Sequence, residues 1–150
     1  MAAERGQRDP SNAKVLTNNP QTGCSIYSSW GKAMDFLEEC QQLLDRYVSC
    51  YREGDAAGCA SVYSIEAEMY SPFGPPAIGR RAIEAAHKEW VEEGADSKQI
   101  NVLSAGSSGD LGWCIANFSE GTTGSGSSMN ILARRPDGRW EITHCSLNVS

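Results

Sequence analysis

The chain lacks the features that announce most common functions. It has no basic stripe: 13 Lys and Arg stand against 19 Asp and Glu, for a net charge of −6. Nucleic acid is therefore not expected as a partner. No apolar run approaches the roughly 20 residues that span a bilayer, so no membrane role is expected. No glycine-rich phosphate loop is present. The six cysteines (Cys24, Cys40, Cys50, Cys59, Cys114, Cys145) include no Cys-x-x-Cys pair. None sits at zinc-ligand spacing from either histidine, so neither a metal nor a bound cofactor is expected. Met1 to Gln21 are polar, without the apolar h-region of a secretory signal, and a cytoplasmic location is the expectation. In that compartment the cysteines are expected to be free, mostly buried thiols.

What is present reads as one domain. A length of 150 residues, 40% of them hydrophobic and 21% charged, suffices to bury a core. Residues 1–30 are polar, carry Pro10 and Pro20 and show no period, so they read as a tail or loose arm. The domain is expected over 31–150. From Lys32 to Glu53, Leu37, Cys40, Leu44, Tyr47, Val48 and Tyr51 recur at helical spacing. Ser28 or Ser29 is the expected cap, Gly54 the expected C-terminal stop, and Asp55 the cap of a short second helix through about Tyr63. Ile65, Ala67 and Met69 alternate with Glu66, Glu68 and Tyr70, which predicts a half-buried strand to Ser71. Pro72, Gly74, Pro75 and Pro76 end it. A third helix, Arg80 to Glu93, carries Ile83, Ala86, His87, Trp90 and Val91 on one face. Four strands follow, at Gln99–Ala105, Gly112–Glu120, Ser127–Arg135 and Arg139–Asn148, separated by turn residues. Short connections predict antiparallel neighbours. Helices first and strands afterwards predict an α+β fold: three N-terminal helices packed on a curved, mainly antiparallel sheet.

The order of these motifs carries a resemblance. Asp45-Arg-Tyr47-Val-Ser-Cys-Tyr-Arg-Glu-Gly-Asp55 is followed by Tyr63, Ser71-Pro-Phe-Gly-Pro-Pro76 and Gly79-Arg-Arg-Ala-Ile83. Arg134-Arg-Pro-Asp-Gly-Arg-Trp140-Glu-Ile-Thr-His144 closes the series. Residues 33–148 resemble the nuclear transport factor 2-like (NTF2-like) superfamily, with its cystatin-like cone. That group includes ketosteroid isomerases, SnoaL-like polyketide cyclases and DUF4440-type proteins. The resemblance implies a pocket for a small apolar or polycyclic molecule. It also implies cofactor-free acid–base chemistry of isomerase, dehydratase or cyclase type, and a homodimer through the outer face of the sheet.

Carried residue by residue, the resemblance places Tyr47 on the oxyanion-hole tyrosine of the isomerases. Tyr63 and His87 fall on the two tyrosines that support it, and Asn130 falls near the protonated aspartate. Ser71 falls on the general-base aspartate. A serine without an activating base does not abstract a C–H proton, so the known isomerase reaction is not expected. Tyr47 and His87 are then the expected acid–base pair, His being suited to proton transfer near neutral pH. Ser71, Asn130 and Cys145 are expected to line the pocket. Met34, Leu37, Met69, Phe73, Trp90 and Trp113 are expected in the core or the cavity wall. The strand phase that turns Ser71 inward turns Glu66 and Glu68 outward, which leaves no obvious strong base. His144 has two readings: alternation groups it with Trp140 and Ile142, whereas the resemblance turns Thr143, Cys145 and Leu147 inward. A role in an interface or the core is expected for it. A different function stays open, because the last hairpin also resembles the association domain of calcium/calmodulin-dependent kinases.

Overall fold

The computed structural model of the chain describes residues 14–17, 35–93, 95–121 and 124–150. Helix α1 runs Phe36–Arg52 and buries Phe36, Cys40, Leu43, Leu44, Tyr47 and Tyr51. Its cap is Asp35, whose carboxylate accepts from Glu38 N at 2.9 Å. The expected caps Ser28 and Ser29, and Met34, lie outside the described residues. Gly54 stops the helix at φ +74°, a conformation open to glycine at little cost. Asp55 caps α2 (Ala56–Ala60), accepting from Gly58 N at 2.9 Å. This helix was expected to reach Tyr63. It stops earlier because the chain there joins the sheet, with Val62 O accepting from Ile142 N at 2.9 Å.

The strands are β1 (Lys14–Thr17), β2 (Tyr63–Tyr70), β3 (Ala77–Ile78), β4 (Lys98–Ser108), β5 (Leu111–Glu120), β6 (Ser125–Arg134) and β7 (Trp140–Val149). They form one sheet in the order β1-β4-β5-β6-β7-β2-β3. All neighbours are antiparallel except β2 and β7. Helix α3 (Arg80–Glu92) follows β3 and buries Ile83 and His87. The sequence reading put residues 14–17 in a tail, yet they supply an edge strand. Four residues carry too little alternation to declare a strand; the open edge of β4 provides the hydrogen-bonding partners. Among the described residues, no helix is long and apolar enough to cross a membrane.

Two irregularities overturn the simple alternation. On β2, Ile65 was expected inward but is 73% exposed, while Ala67 and Met69 are buried. Tyr63 pairs with Ile142 and Glu68 with His144, so β2 bulges between them; Ile65 falls in the bulge and turns outward, while Tyr63, Ala67 and Met69 keep the inward parity. On β7, Leu132 pairs with Ile142 and Ile131 with His144, leaving Thr143 as the extra residue. Trp140 and Ile142 therefore face inward before the bulge, and Cys145 and Leu147 after it. Both readings of this strand hold, each on its own side of Thr143. His144 faces outward, its Nε2 3.6 Å from Glu68 Oε2.

The sheet closes tightly at Gly126, between β5 and β7. A Cβ there would collide with the Asn148 carbonyl oxygen and would lie 2.7 Å from Phe118 Cζ. The ring of Phe118 covers this glycine, its partner on the adjacent strand. Gly126→Ala is expected to cost about 1–3 kcal/mol, as other overpacked sites do. The midpoint of urea unfolding measures this; an unchanged midpoint would contradict the close approach.

Candidate functional site

The concave face of the sheet and helices α1 and α3 enclose a cavity of about 430 Å³. Leu44, Ile100, Phe118, Leu147 and Val149 give it apolar walls, and Phe73 and Trp90 stand edge to face at 6.0 Å on one side. Tyr47, Tyr51 and Tyr63 also belong to the lining.

Tyr47 comes from the buried stripe of α1 and His87 from that of α3. The Tyr47 hydroxyl is 2.7 Å from His87 Nε2, and His87 Nδ1 is 2.7 Å from Ile83 O, one turn back on its own helix. The rings of Tyr47, Tyr51, Tyr63 and Trp90 surround the imidazole, with centroids 4.8–6.4 Å away. This burial holds the imidazole neutral, pushing its pKa down to about 4; the Ile83 carbonyl opposes the shift and Lys98 adds to it. Burial also raises the Tyr47 phenol well above its ordinary value.

The other expected site residues divide. Tyr63 lines the cavity, but the imidazole nitrogens of His87 are held by Tyr47 and Ile83 O, and the Tyr63 phenol is raised above its ordinary value by burial, with Cys145 adding to the shift. The expected Tyr–His–Tyr chain is thus Tyr47–His87–Ile83 O, because both imidazole nitrogens are already engaged. Asn130 and Cys145 line the cavity as well. Asn130 Nδ2 reaches Ser128 Oγ at 3.1 Å and Cys114 Sγ at 3.7 Å. Ser71 and Trp113 are not in the lining. Ser71 follows the last residue of β2, Tyr70, and its Oγ accepts from Phe73 N at 3.0 Å. Trp113 shares the outer face with Ile115, because Cys114, Ala116 and Phe118 take the inner one. Among the described residues, no three His, Cys, Asp or Glu side chains converge as a metal site.

A second polar cluster was missed. Lys98 Nζ lies 2.8 Å from Glu120 Oε1, and the Tyr51 hydroxyl donates to the same oxygen at 2.9 Å. The ammonium also sits 4.6 Å from the centre of the Tyr51 ring and 4.7 Å from that of Phe118. All four residues line the cavity, with Glu89 and Glu93 nearby, so carboxylates are present where none was expected. The signal was legible: Lys98 shares parity with Ile100 and Val102, and Glu120 with Ala116 and Phe118. The two charges sit directly opposite one another at the end of the β4–β5 hairpin.

The neutral His87 has a consequence for stability. The folded imidazole titrates at about 4, against 6.5 when exposed, so the unfolded chain takes up the proton first as pH falls. The His87 contribution is complete above about pH 6.5 and is lost towards pH 4, about 3 kcal/mol in all. Urea unfolding across this window, with His87→Phe beside the wild type, checks it. The variant is expected to lose that part of the pH slope; an unchanged slope would count against a buried neutral imidazole.

No protein-family model and no curated protein matches the chain. Solved structures do. A ketosteroid isomerase-like protein from Erwinia carotovora atroseptica superposes with TM-score 0.63 at 12% identity, covering 73% of this chain and 92% of its own. A protein of unknown function with a cystatin-like fold from Nostoc punctiforme gives 0.65 at 13% identity, over 78% and 94%. An NTF-2 like protein of unknown function from Shewanella oneidensis gives 0.64 at 17% identity, over 73% and 96%. At such identities the likeness is one of architecture, and the architecture of this chain is the cystatin-like, NTF2-like α+β cone.

Proposed function

We propose that the cone binds one small, mostly apolar molecule whose polar end meets the Tyr47–His87 pair. The observation that carries this is the cavity itself. About 430 Å³ of space has apolar and aromatic walls with the Tyr47 phenol set into them, hydrogen-bonded to His87 behind the wall. Ligand pockets typically span about 300–1,000 Å³ and combine such walls with few polar groups.

Binding is better supported than acid–base turnover. A general acid or base works best with a pKa near the working pH. Burial moves the Tyr47 phenol up and the His87 imidazole down, away from neutrality in both cases. Glu120 is held by Lys98 and Tyr51, and Ser71 is outside the lining. Isomerase, dehydratase or cyclase activity is the finer reading, and it requires Tyr47 and His87 to exchange a proton with the ligand.

The test is a titration with the neutral probe N-phenyl-1-naphthylamine. Saturable one-to-one binding with enhanced emission is expected, and Leu147→Trp, which fills the wall, is expected to weaken it about tenfold through steric exclusion. Absence of saturable binding by neutral apolar probes would sink the proposal.

A second reading concerns assembly, and the outer face favours it. Leu103, Met129 and Ile131 are 37%, 48% and 44% exposed there, next to Trp113. Apolar side chains clustered on one face are suited to a partner surface. We propose that a second copy covers it, with His144 and Glu68 at the margin. Light scattering at micromolar concentration is expected to give twice the chain mass, and Ile131→Glu the single mass. A monomeric wild type would remove this interface.

A further inference from the structure

The direction of the Tyr47–His87 hydrogen bond can be read from the group behind it. A backbone carbonyl only accepts, so the imidazole nitrogen 2.7 Å from Ile83 O carries the hydrogen, and that nitrogen is Nδ1. A neutral ring then has a bare lone pair on Nε2, which faces the Tyr47 hydroxyl at 2.7 Å. A proton must lie between these two atoms, and the phenol is the only one that has it. Tyr47 therefore donates to His87 and turns lone pairs, not its proton, to the cavity. Asn130 adds to this polarity. Its amide nitrogen is directed to Ser128 and Cys114, and its Oδ1 has no protein partner among the described residues. The residue is 2% exposed, yet it lines the cavity.

We infer that this wall of the cavity accepts hydrogen bonds, and that its ligand is an apolar molecule presenting a hydroxyl of alcohol or phenol type there. A bare carbonyl or enolate oxygen would meet the lone pairs of Tyr47 and Asn130 and be repelled. This polarity is opposite to that of an oxyanion hole, in which the donors point into the site. The inference rests on the ligand-binding reading above and sharpens it to a ligand class.

Three probes of similar size separate the possibilities: 2-naphthol, 2-methoxynaphthalene and 2-acetonaphthone, titrated calorimetrically against the whole chain at pH 7. An unmet polar group in a buried site carries a substantial penalty, so 2-naphthol is expected to bind about tenfold tighter than the other two. Tyr47→Phe, which keeps the ring, is expected to remove most of that preference. His87→Phe frees the Tyr47 hydroxyl to turn inward and is expected to shift preference towards 2-acetonaphthone. Nitrogen-15 NMR of the ligand-free wild type is expected to show His87 protonated at Nδ1 and bare at Nε2. Equal affinities, a wild-type preference for the ketone, or an Nε2–H tautomer would overturn the inference while leaving the binding proposal standing. Failure of all three probes to bind would overturn the binding proposal and the ligand class together.

Discussion

The site depends on placing an imidazole where no water reaches it. A buried polar group without partners costs on the order of 1–3 kcal/mol, and His87 has two such groups on one ring. The fold meets both. One nitrogen bonds within α3, to Ile83 O, and the other bonds across to α1, through Tyr47. This crossing bond sets the rotation of both helices, since each must turn its polar residue towards the other from within an apolar stripe. The four aromatic rings around the imidazole follow from the same demand. They keep water out, and in doing so hold the ring neutral.

Two of the polar clusters at the cavity differ in kind. At the Tyr47–His87 pair the groups are neutral. At the Lys98–Glu120 pair they are charged, held between the Tyr51 and Phe118 rings. Lys98 is largely withdrawn from water, with a side chain 8% exposed, against 27% for Glu120. An ion pair so placed is tolerated when its remaining hydrogen-bonding capacity is met. The Tyr51 hydroxyl completes Glu120 Oε1, and the two aromatic faces receive the ammonium. Tyr51 lies one helical turn beyond Tyr47 on α1, so a single buried stripe reaches both clusters.

Much of this was legible in the sequence because it followed simple periods. The stripe of α1, the stop at Gly54, the cap at Asp55 and the inward face of α3 all come from 3.6-residue spacing and local capping chemistry. The hairpins came from turn residues. What failed was period-2 reasoning across bulges. Ile65 was grouped with Ala67 and Met69 because alternation was assumed unbroken through β2, and the shift between Tyr63 and Glu68 turns it outward. Ser71, placed in the pocket by resemblance, lies past the last residue of that strand. In β7 a single extra residue, Thr143, reconciles two phases that looked exclusive. Nothing local marks such a bulge, since it satisfies the pairing of a neighbouring strand distant in sequence. Trp113 was expected in the core or the cavity wall, whereas its own strand gives the inner face to Cys114, Ala116 and Phe118. The edge strand at Lys14–Thr17 depends on the open edge of β4, which the segment itself does not encode.

The position of His87 shows why a shared fold leaves function open. The isomerase resemblance sets a tyrosine there. A tyrosine hydroxyl both donates and accepts, so it can give a proton to Tyr47 and leave the Tyr47 proton free for a substrate oxygen. The imidazole does not have that freedom. With Nδ1–H committed to Ile83 O and the ring neutral, Nε2 can only accept. The Tyr47 proton is drawn away from the cavity, and the same phenol in the same helix now offers lone pairs. In our inference, this one difference, far smaller than any change in architecture, is enough to reverse what the wall of the cone recognises. Where the resemblance sets a carboxylate base, this chain has Ser71. Donors that hold an enolate serve a site that forms one, so the serine at position 71 and the inferred acceptor wall point the same way.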